Sequence, residues 1–292
     1  MAYRSIFRNG LFDGTVAIVT GGGSGIGRAT AHELASLGAT VALVGRKPEK
    51  LARTADEIES AYARRPAEYA CDIRDEDAVK SVVASVVAEH GHIDALVNNA
   101  GGQFFAPLET ISLKGWEAVV RTNLTGGFLF ARECFVQSMR AHGGAIVNVI
   151  ADMWTSMPGM GHSGAARAGM LNFTMTAAVE WARAGVRVNA VAPGWIASSG
   201  LAEYPEMMRP MLVQLAKHVP LQRFGTESEV SAAIAFLLSP AASFISGECL
   251  RVDGAAPNAR LHYPLTAHER SEAFLGFDLE RPPEFLEKSP AS

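Results

Sequence analysis

Cysteine is scarce: Cys71, Cys134 and Cys249 are the only three, odd in number and without a Cys-x-x-Cys pair. That pattern argues against a disulfide scaffold and a thiolate zinc site, so no metal is expected and a reducing compartment is. Basic charge is not in excess, with 26 Lys and Arg against 30 Asp and Glu and a formal net charge of -4. A nucleic-acid partner is therefore not expected. No stretch reaches the roughly 18 consecutive apolar residues of a membrane span. The first residues, Met1-Ala2-Tyr3-Arg4-Ser5, lack the apolar run of a signal peptide. With 292 residues, 48% of them hydrophobic, the chain can bury a large core without a covalent staple.

What the chain does contain is alternation. Short apolar runs at Val16–Thr20, Thr40–Val44, Ala67–Cys71, Ala95–Asn98, Ala145–Ile150, Arg187–Ala192 and Cys249–Val252 read as strands. Helical patterns lie between them, including Ile26–Leu37, Asp75–Glu89, Leu113–His142, Ser163–Arg183 and Ser228–Leu238. Strands joined by helices of this length need crossover connections, hence a parallel sheet covered on both faces. The expected fold is one α/β domain over residues 1–292: a doubly wound, parallel seven-stranded sheet. Two segments break the rhythm. Residues 195–223 carry Met207, Met208 and Met211, are broken by Pro205, Pro210 and Pro220, and read as a substrate lid. Residues 255–292, with Pro264, Pro282, Pro283 and Pro290, read as an irregular tail over the surface.

The first strand runs straight into Thr20-Gly21-Gly22-Gly23-Ser24-Gly25-Ile26-Gly27, and a helix follows. Glycines there let backbone approach a diphosphate, and a helix N-terminus offers it free N–H groups and positive partial charge. The spacing is Thr-Gly-x-x-x-Gly-x-Gly. Asp72 follows the third strand, Asn98-Asn99-Ala100-Gly101 closes the fourth, Asn123 lies in Thr122-Asn123-Leu124-Thr125-Gly126, and Pro193-Gly194 follows the sixth. In that order, from roughly Gly10 to Gly254, the motifs resemble the short-chain dehydrogenase/reductase family and its Rossmann-type fold.

The resemblance implies a nicotinamide dinucleotide held at Gly21, Ser24, Gly25, Ile26 and Gly27. It adds Asp72, Ile73, Asn99, Ala100 and Gly101, then Pro193, Gly194 and Ile196 after the sixth strand. NAD-specific relatives end the second strand with a carboxylate for the ribose 2′-hydroxyl. Here that strand ends Val44-Gly45-Arg46-Lys47, and two cations suit a 2′-phosphate. NADPH is the cofactor expected.

One absence matters most. The family places a tyrosine thirteen residues after a serine and a lysine four residues beyond it. Here those three positions are Ile150, Ser163 and Arg167, and only Asn123 of the usual four remains. Reducing a ketone makes an alkoxide that needs an acid. Adding hydride to an α,β-unsaturated thioester makes an enolate that hydrogen-bond donors can stabilise. The runs Asn98–Phe104, Ile111–Trp116, His162–Gly169 and Leu238–Phe244 are similar to the peroxisomal trans-2-enoyl-CoA reductases and, less closely, to the 2,4-dienoyl-CoA reductases. The dienoyl enzymes carry a tyrosine eleven residues before the serine, where this chain has Asp152.

Trans-2-enoyl-CoA reduction is therefore the first expectation. A 2,4-dienoyl-CoA reductase, a keto/alcohol oxidoreductase and an inactive NADP-binding protein are the alternatives. Arg167, on the same helix face as Ser163, is expected at the nicotinamide ribose. Ser163 and Asn123 would orient donors to the thioester oxygen. Asp152 relays a proton or, the better reading, serves as a structural acceptor, and His162 reads as a packing or capping residue. The lid methionines and Trp195 would line an acyl channel, with Arg209, Lys217 and Arg223 as candidate CoA-binding cations. The resemblance further implies a homotetramer packed through Leu113–His142 and Ser163–Arg183, with Gly164, Ala165, Ala168 and Gly169 permitting close approach. The C-terminal Ser289-Pro290-Ala291-Ser292 is not a peroxisomal address, and the cytoplasm is the expected location.

Overall fold

All seven apolar runs form strands, and every pairing between them is parallel. They are β1 (Val16–Thr20), β2 (Thr40–Gly45), β3 (Ala67–Ala70), β4 (Ala95–Asn98), β5 (Gly144–Val149), β6 (Val186–Pro193) and β7 (Cys249–Val252). Their order in the sheet is β3-β2-β1-β4-β5-β6-β7. The computed structural model describes residues 2–204, 206–259 and 264–287. Pro205, Pro290 and the final Ser-Pro-Ala-Ser thus lie outside the described residues.

Strand residues divide between two cores by parity. Val19, Leu43, Val97 and Val147 join one buried cluster with Leu34, Leu51 and Ile234. Ile18, Val44, Leu96 and Ile146 join the other with Val83, Phe130 and Met139. This two-sided burial explains why the strands read as continuous apolar runs. The first cluster is covered by α1 (Gly25–Ser36), α2 (Pro48–Tyr62) and, later in the chain, Glu227–Leu238; the second by α3 (Glu76–His90) and the helices that follow β4. Helix α2 is an addition to the sequence reading: its buried residues are only Leu51, Thr54, Ala55 and Ile58, a narrow stripe on a polar helix.

The expected helix over residues 113–142 is one helical run with two wide turns. It comprises α4 (Leu113–Val120), a π-helical turn at Arg121–Thr125, α5 (Gly126–Cys134), a second π-turn at Phe135–Met139, and α6 (Arg140–His142). Next comes α7 (Gly161–Trp181), then α8 (Arg209–Gln214), α9 (Glu227–Leu238) and the short α10 (Glu284–Glu287). No helix among the described residues is long and apolar enough to cross a membrane.

The tail departs from a surface wrap. Phe277 and Glu280 are buried. Phe277 lies against Tyr3 and His32, at ring-centroid distances of 5.8 and 4.8 Å. Glu280 accepts hydrogen bonds from the Glu227 N–H and the Ser228 hydroxyl, so the tail finishes the capping of α9. Burial first, and the neighbouring Glu280 second, push the Glu227 carboxyl up to about 8.

Between β1 and β4 the strand order reverses direction, and in such sheets ligands settle at the carboxyl ends of the strands flanking that point. Thr20-Gly21 and Asn98-Asn99 occupy those ends.

Candidate active site

The turn after β1 is fastened to the end of β4 by four hydrogen bonds. The Thr20 hydroxyl donates to the Val97 carbonyl and accepts from the Asn99 and Ala100 N–H groups, both at 3.0 Å. The Asn99 side-chain amide donates back to the Thr20 carbonyl at 3.0 Å. Gly21 has φ +69, and a Cβ there would stand 2.7 Å from the Asn99 amide nitrogen. A Cβ on Gly27 would collide with the Gly21 carbonyl. Only glycine lets the first turn of α1 close onto β1, leaving a cradle of bare backbone. Ser24, at the N-cap, keeps its hydroxyl off the helix backbone. A diphosphate fits this arrangement.

Arg46 and Lys47 are exposed at the end of β2, and Arg46 lies close enough to Asp72 to help depress its carboxyl, although Arg74 contributes most to that effect. Asp72 is held at about 2 and is gripped by the Arg74 guanidinium and N–H. The Ile73 side chain is buried against Gly126, so only its backbone is available to a ligand. Gly194 runs against Asp253, and buried Ile196 bridges to Gly225.

Across the cleft, Asn123 sits in the first π-turn, a deformation frequent at functional sites. Its oxygen accepts from the Gly102 N–H at 2.9 Å, and its nitrogen donates to the Gly102 carbonyl at 3.0 Å and to Ser163 at 3.4 Å. Asn123 therefore fixes the backbone just before Gln103. The Ser163 hydroxyl is fully buried and donates to the Gln103 side-chain oxygen at 2.7 Å. The Gln103 nitrogen in turn donates to the Tyr204 phenol at 3.1 Å.

Arg167 lies one helical turn below Ser163. It donates to the Val149 carbonyl at 2.7 Å, its guanidinium stands beside Gly101, and its Nε is buried without a partner. Burial lowers its pKa to about 10. An unpartnered guanidinium N–H beside the Asn99–Gly101 turn suits a ribose hydroxyl. The nicotinamide dinucleotide thus fits the residues present.

Asp152 keeps other company. Its carboxyl is raised by burial and by Asp253, with Arg251 nearby and one oxygen unpartnered. It makes no hydrogen bond to Ser163, Asn123 or Arg167 among the described residues. His162 is fully buried, accepts from the Ser163 N–H and meets Phe104 edge-on at 4.4 Å, which is packing.

The apolar wall differs from the expected one. Met207 is 87% exposed and Met211 49%, so these lid methionines face solvent. Of the methionines in the 153–160 segment, Met160 stands at the site, against the Tyr204 phenol. Met153 and Met157 line a shallow cavity of about 270 Å³ on the exposed face of α7, with Gly164, Ala165 and Ala168, away from Ser163. Phe105 packs over Gly159, and Leu108 over Gly161. The lid is anchored by buried Leu201, Leu212 and Val219. Of the candidate CoA cations, Arg223 is bound to Glu229 at 2.6 Å and to Ser271, which removes it; Arg209 pairs with Glu206, and Lys217 is exposed.

Sequence reasoning missed Gln103 and Tyr204 as site residues. The available signals were slight: Gln103 follows the Asn-Asn-Ala-Gly-Gly run, and Tyr204 is the one tyrosine between Trp195 and Arg223.

Comparison with known proteins agrees with this geometry. Residues 21–255 match a family model described as Enoyl-(Acyl carrier protein) reductase. A probable 2,4-dienoyl-CoA reductase of Bacillus subtilis is 40% identical over 243 residues, covering 81% of this chain and 94% of the relative. The structure of a citronellol catabolism dehydrogenase from Pseudomonas aeruginosa is 63% identical with a TM-score of 0.78, covering 87% of this chain and 99% of that one. A 3-oxoacyl-[acyl-carrier-protein] reductase of Thermotoga maritima is 36% identical, covering 83% and 97%. With the dinucleotide cradle, the strand order and the family model all in agreement, the chain belongs to the short-chain dehydrogenase/reductase family, oxidoreductases that bind NAD(P)H.

Proposed function

We propose that the protein reduces the 2,3 double bond of trans-2-enoyl-CoA esters with NADPH. The observation that carries this reading is Ser163: a buried hydroxyl already committed to Gln103, at the helix position where the family places its phenol. A ketone receives hydride on the carbon that bears the oxygen, and the resulting alkoxide needs an acid at that point. In an enoyl thioester the hydride goes to C3 while the charge collects on the thioester oxygen, two carbon–carbon bonds away. Hydrogen-bond donors displaced outward from Ser163 serve that second case. The dienoyl-CoA reductase among the relatives and the enoyl reductase family model support the same chemistry.

Bound NADPH supplies the hydride. The backbone N–H groups of Ser24, Gly25, Ile26 and Gly27 receive its diphosphate, Arg46 and Lys47 its 2′-phosphate, and Arg167 its nicotinamide-side ribose. Asn99, Ala100 and Gly101 form the floor beneath it, while Asn123 holds Gly102 and Ser163 in place. Phe104, Phe105 and Met160 receive the acyl chain and exclude water. The assembly we propose is a homotetramer joined through α4–α6 and α7, where Trp116, Phe128, Met175 and Val179 are exposed. Sedimentation equilibrium checks it.

A second reading is favoured by one observation. The 63% identity to the citronellol catabolism dehydrogenase points to a branched isoprenoid chain, as a thioester or as an alcohol. One panel separates these readings: NADPH with linear and 3-methyl-branched trans-2-enoyl-CoA, a 2,4-dienoyl-CoA and a β-ketoacyl-CoA, and NADP with a branched isoprenoid alcohol. Saturated acyl-CoA from the monoenoyl esters is the expected product. Turnover only of the ketoacyl ester or the alcohol would sink the enoyl reading.

A further inference from the structure

The geometry points to a further catalytic residue: we propose that Tyr204, carried in by the lid, is the hydrogen-bond donor to the thioester oxygen as negative charge develops there. The inference rests on the enoyl-reductase reading and supplies the donor that reading requires.

Besides the Arg167 Nε, which faces the turn at Asn99–Gly101, and the His162 Nε2 packed beside Phe104, both buried without a partner, the site leaves one hydroxyl donor facing only a weak acceptor. The Ser163 hydroxyl is taken by the Gln103 oxygen at 2.7 Å, and the Asn123 nitrogen by the Gly102 carbonyl at 3.0 Å. The Tyr204 oxygen accepts from the Gln103 nitrogen at 3.1 Å, which turns the phenol's own proton away from Gln103. The phenol instead donates to the Met160 sulfur, with oxygen and sulfur 3.4 Å apart. A thioether is a weak acceptor, so a thioester oxygen, and more so an enolate, displaces it with a net gain.

The three residues form a directed chain. Ser163 donates to the Gln103 carbonyl, the Gln103 amide donates to the phenol, and the phenol donates outward. Each bond polarises the next, so the buried serine strengthens a donor it does not touch. The amide also sets the phenol one side chain outward from Ser163. That offset suits a substrate whose oxygen is separated from the carbon receiving hydride. Tyr204 is half-buried, and the main chain beside it is tied down by buried Leu201, whose carbonyl accepts from the Tyr204 N–H. The lid thus brings the donor as well as covering the site.

The test uses Tyr204→Phe in the full chain, with two readouts. Turnover of trans-2-enoyl-CoA should fall about 100-fold, the loss typical of one oxyanion donor, with KM and NADPH affinity little changed. Independently of turnover, acetoacetyl-CoA added without NADPH should show an enolate absorption band on wild-type protein that is largely lost in the variant. Gln103→Ala should lose part of both effects. A Tyr204→Phe enzyme within about twofold of wild type in turnover, with an equal enolate band, overturns the proposal. A wild type that reduces no enoyl thioester overturns the proposed function instead, and the acetoacetyl-CoA titration then decides alone whether Tyr204 is an oxyanion donor.

Discussion

The turn after β1 and the opening of α7 face each other across one cleft, yet they achieve their geometry by different means. The first is made of backbone. Gly21 and Gly27 clear the space, Gly25 takes a positive φ, Thr20 and Asn99 pin the turn, and no long side chain is required. The second is made of side chains drawn from four segments: Asn123 from a π-turn, Gln103 from the loop after β4, Ser163 from α7 and Tyr204 from the lid. A backbone site tolerates little change and keeps its spacing, whereas a side-chain site can be rebuilt around a different reaction. In this chain the cofactor half follows the family pattern closely, and the chemical half departs from it at Ile150, Ser163 and Arg167.

The comparison breaks most sharply at Gly27. Gly27→Val puts a side chain into the Gly21 carbonyl. NADPH affinity should fall at least about 100-fold, close to 2.7 kcal/mol, read by quenching of protein fluorescence, with far-ultraviolet circular dichroism reporting that the sheet persists. On the other side, Arg167→Ala should cost about 10- to 100-fold in kcat/KM through lost ribose positioning, and Arg167→Lys should recover part of it. Arg46→Asp sharpens the cofactor half alone. It should move the ratio of NADPH to NADH affinity toward NADH by about tenfold or more, since one charge-assisted contact is worth about 1.5 kcal/mol, while the product formed stays the same.

The smallest effect concerns the α9–tail junction. Glu227 is raised to about 8 in the folded protein from 4.5, mainly by burial and then by Glu280. Between those two values the folded state binds the extra proton, so this group's contribution is full below about 4.5 and is lost as pH rises through 8. Thermal stability should therefore decline from mildly acidic to mildly alkaline pH. Glu227→Gln should flatten that decline, as seen in melting temperatures over the same range; an unchanged slope would remove Glu227 from the account.

Much of this architecture was legible in the sequence because its causes are local. Strand positions followed from short apolar runs, and the cradle followed from glycine spacing after β1. The polar helix α2 was less visible because it buries a stripe of four residues. The embedded tail was hidden for another reason: Phe277 and Glu280 find Tyr3, His32 and the start of α9 only once the chain has folded back. The Ser163–Gln103–Tyr204 chain was hidden in the same way, since its members are separated by 60 and 101 positions. Composition placed methionine at the lid, but its buried Leu201, Leu212 and Val219 turn Met207 and Met211 outward.

The central claim is about where the hydride goes. The direct measurement is reduction of trans-2-enoyl-CoA with NADPH deuterated at the transferred position of the nicotinamide, followed by NMR of the product. Deuterium at C3 of a saturated acyl-CoA is the result this account predicts. Deuterium on a carbinol carbon, from a ketoacyl ester reduced in preference, or no transfer at all while NADPH still raises the melting temperature, would contradict it.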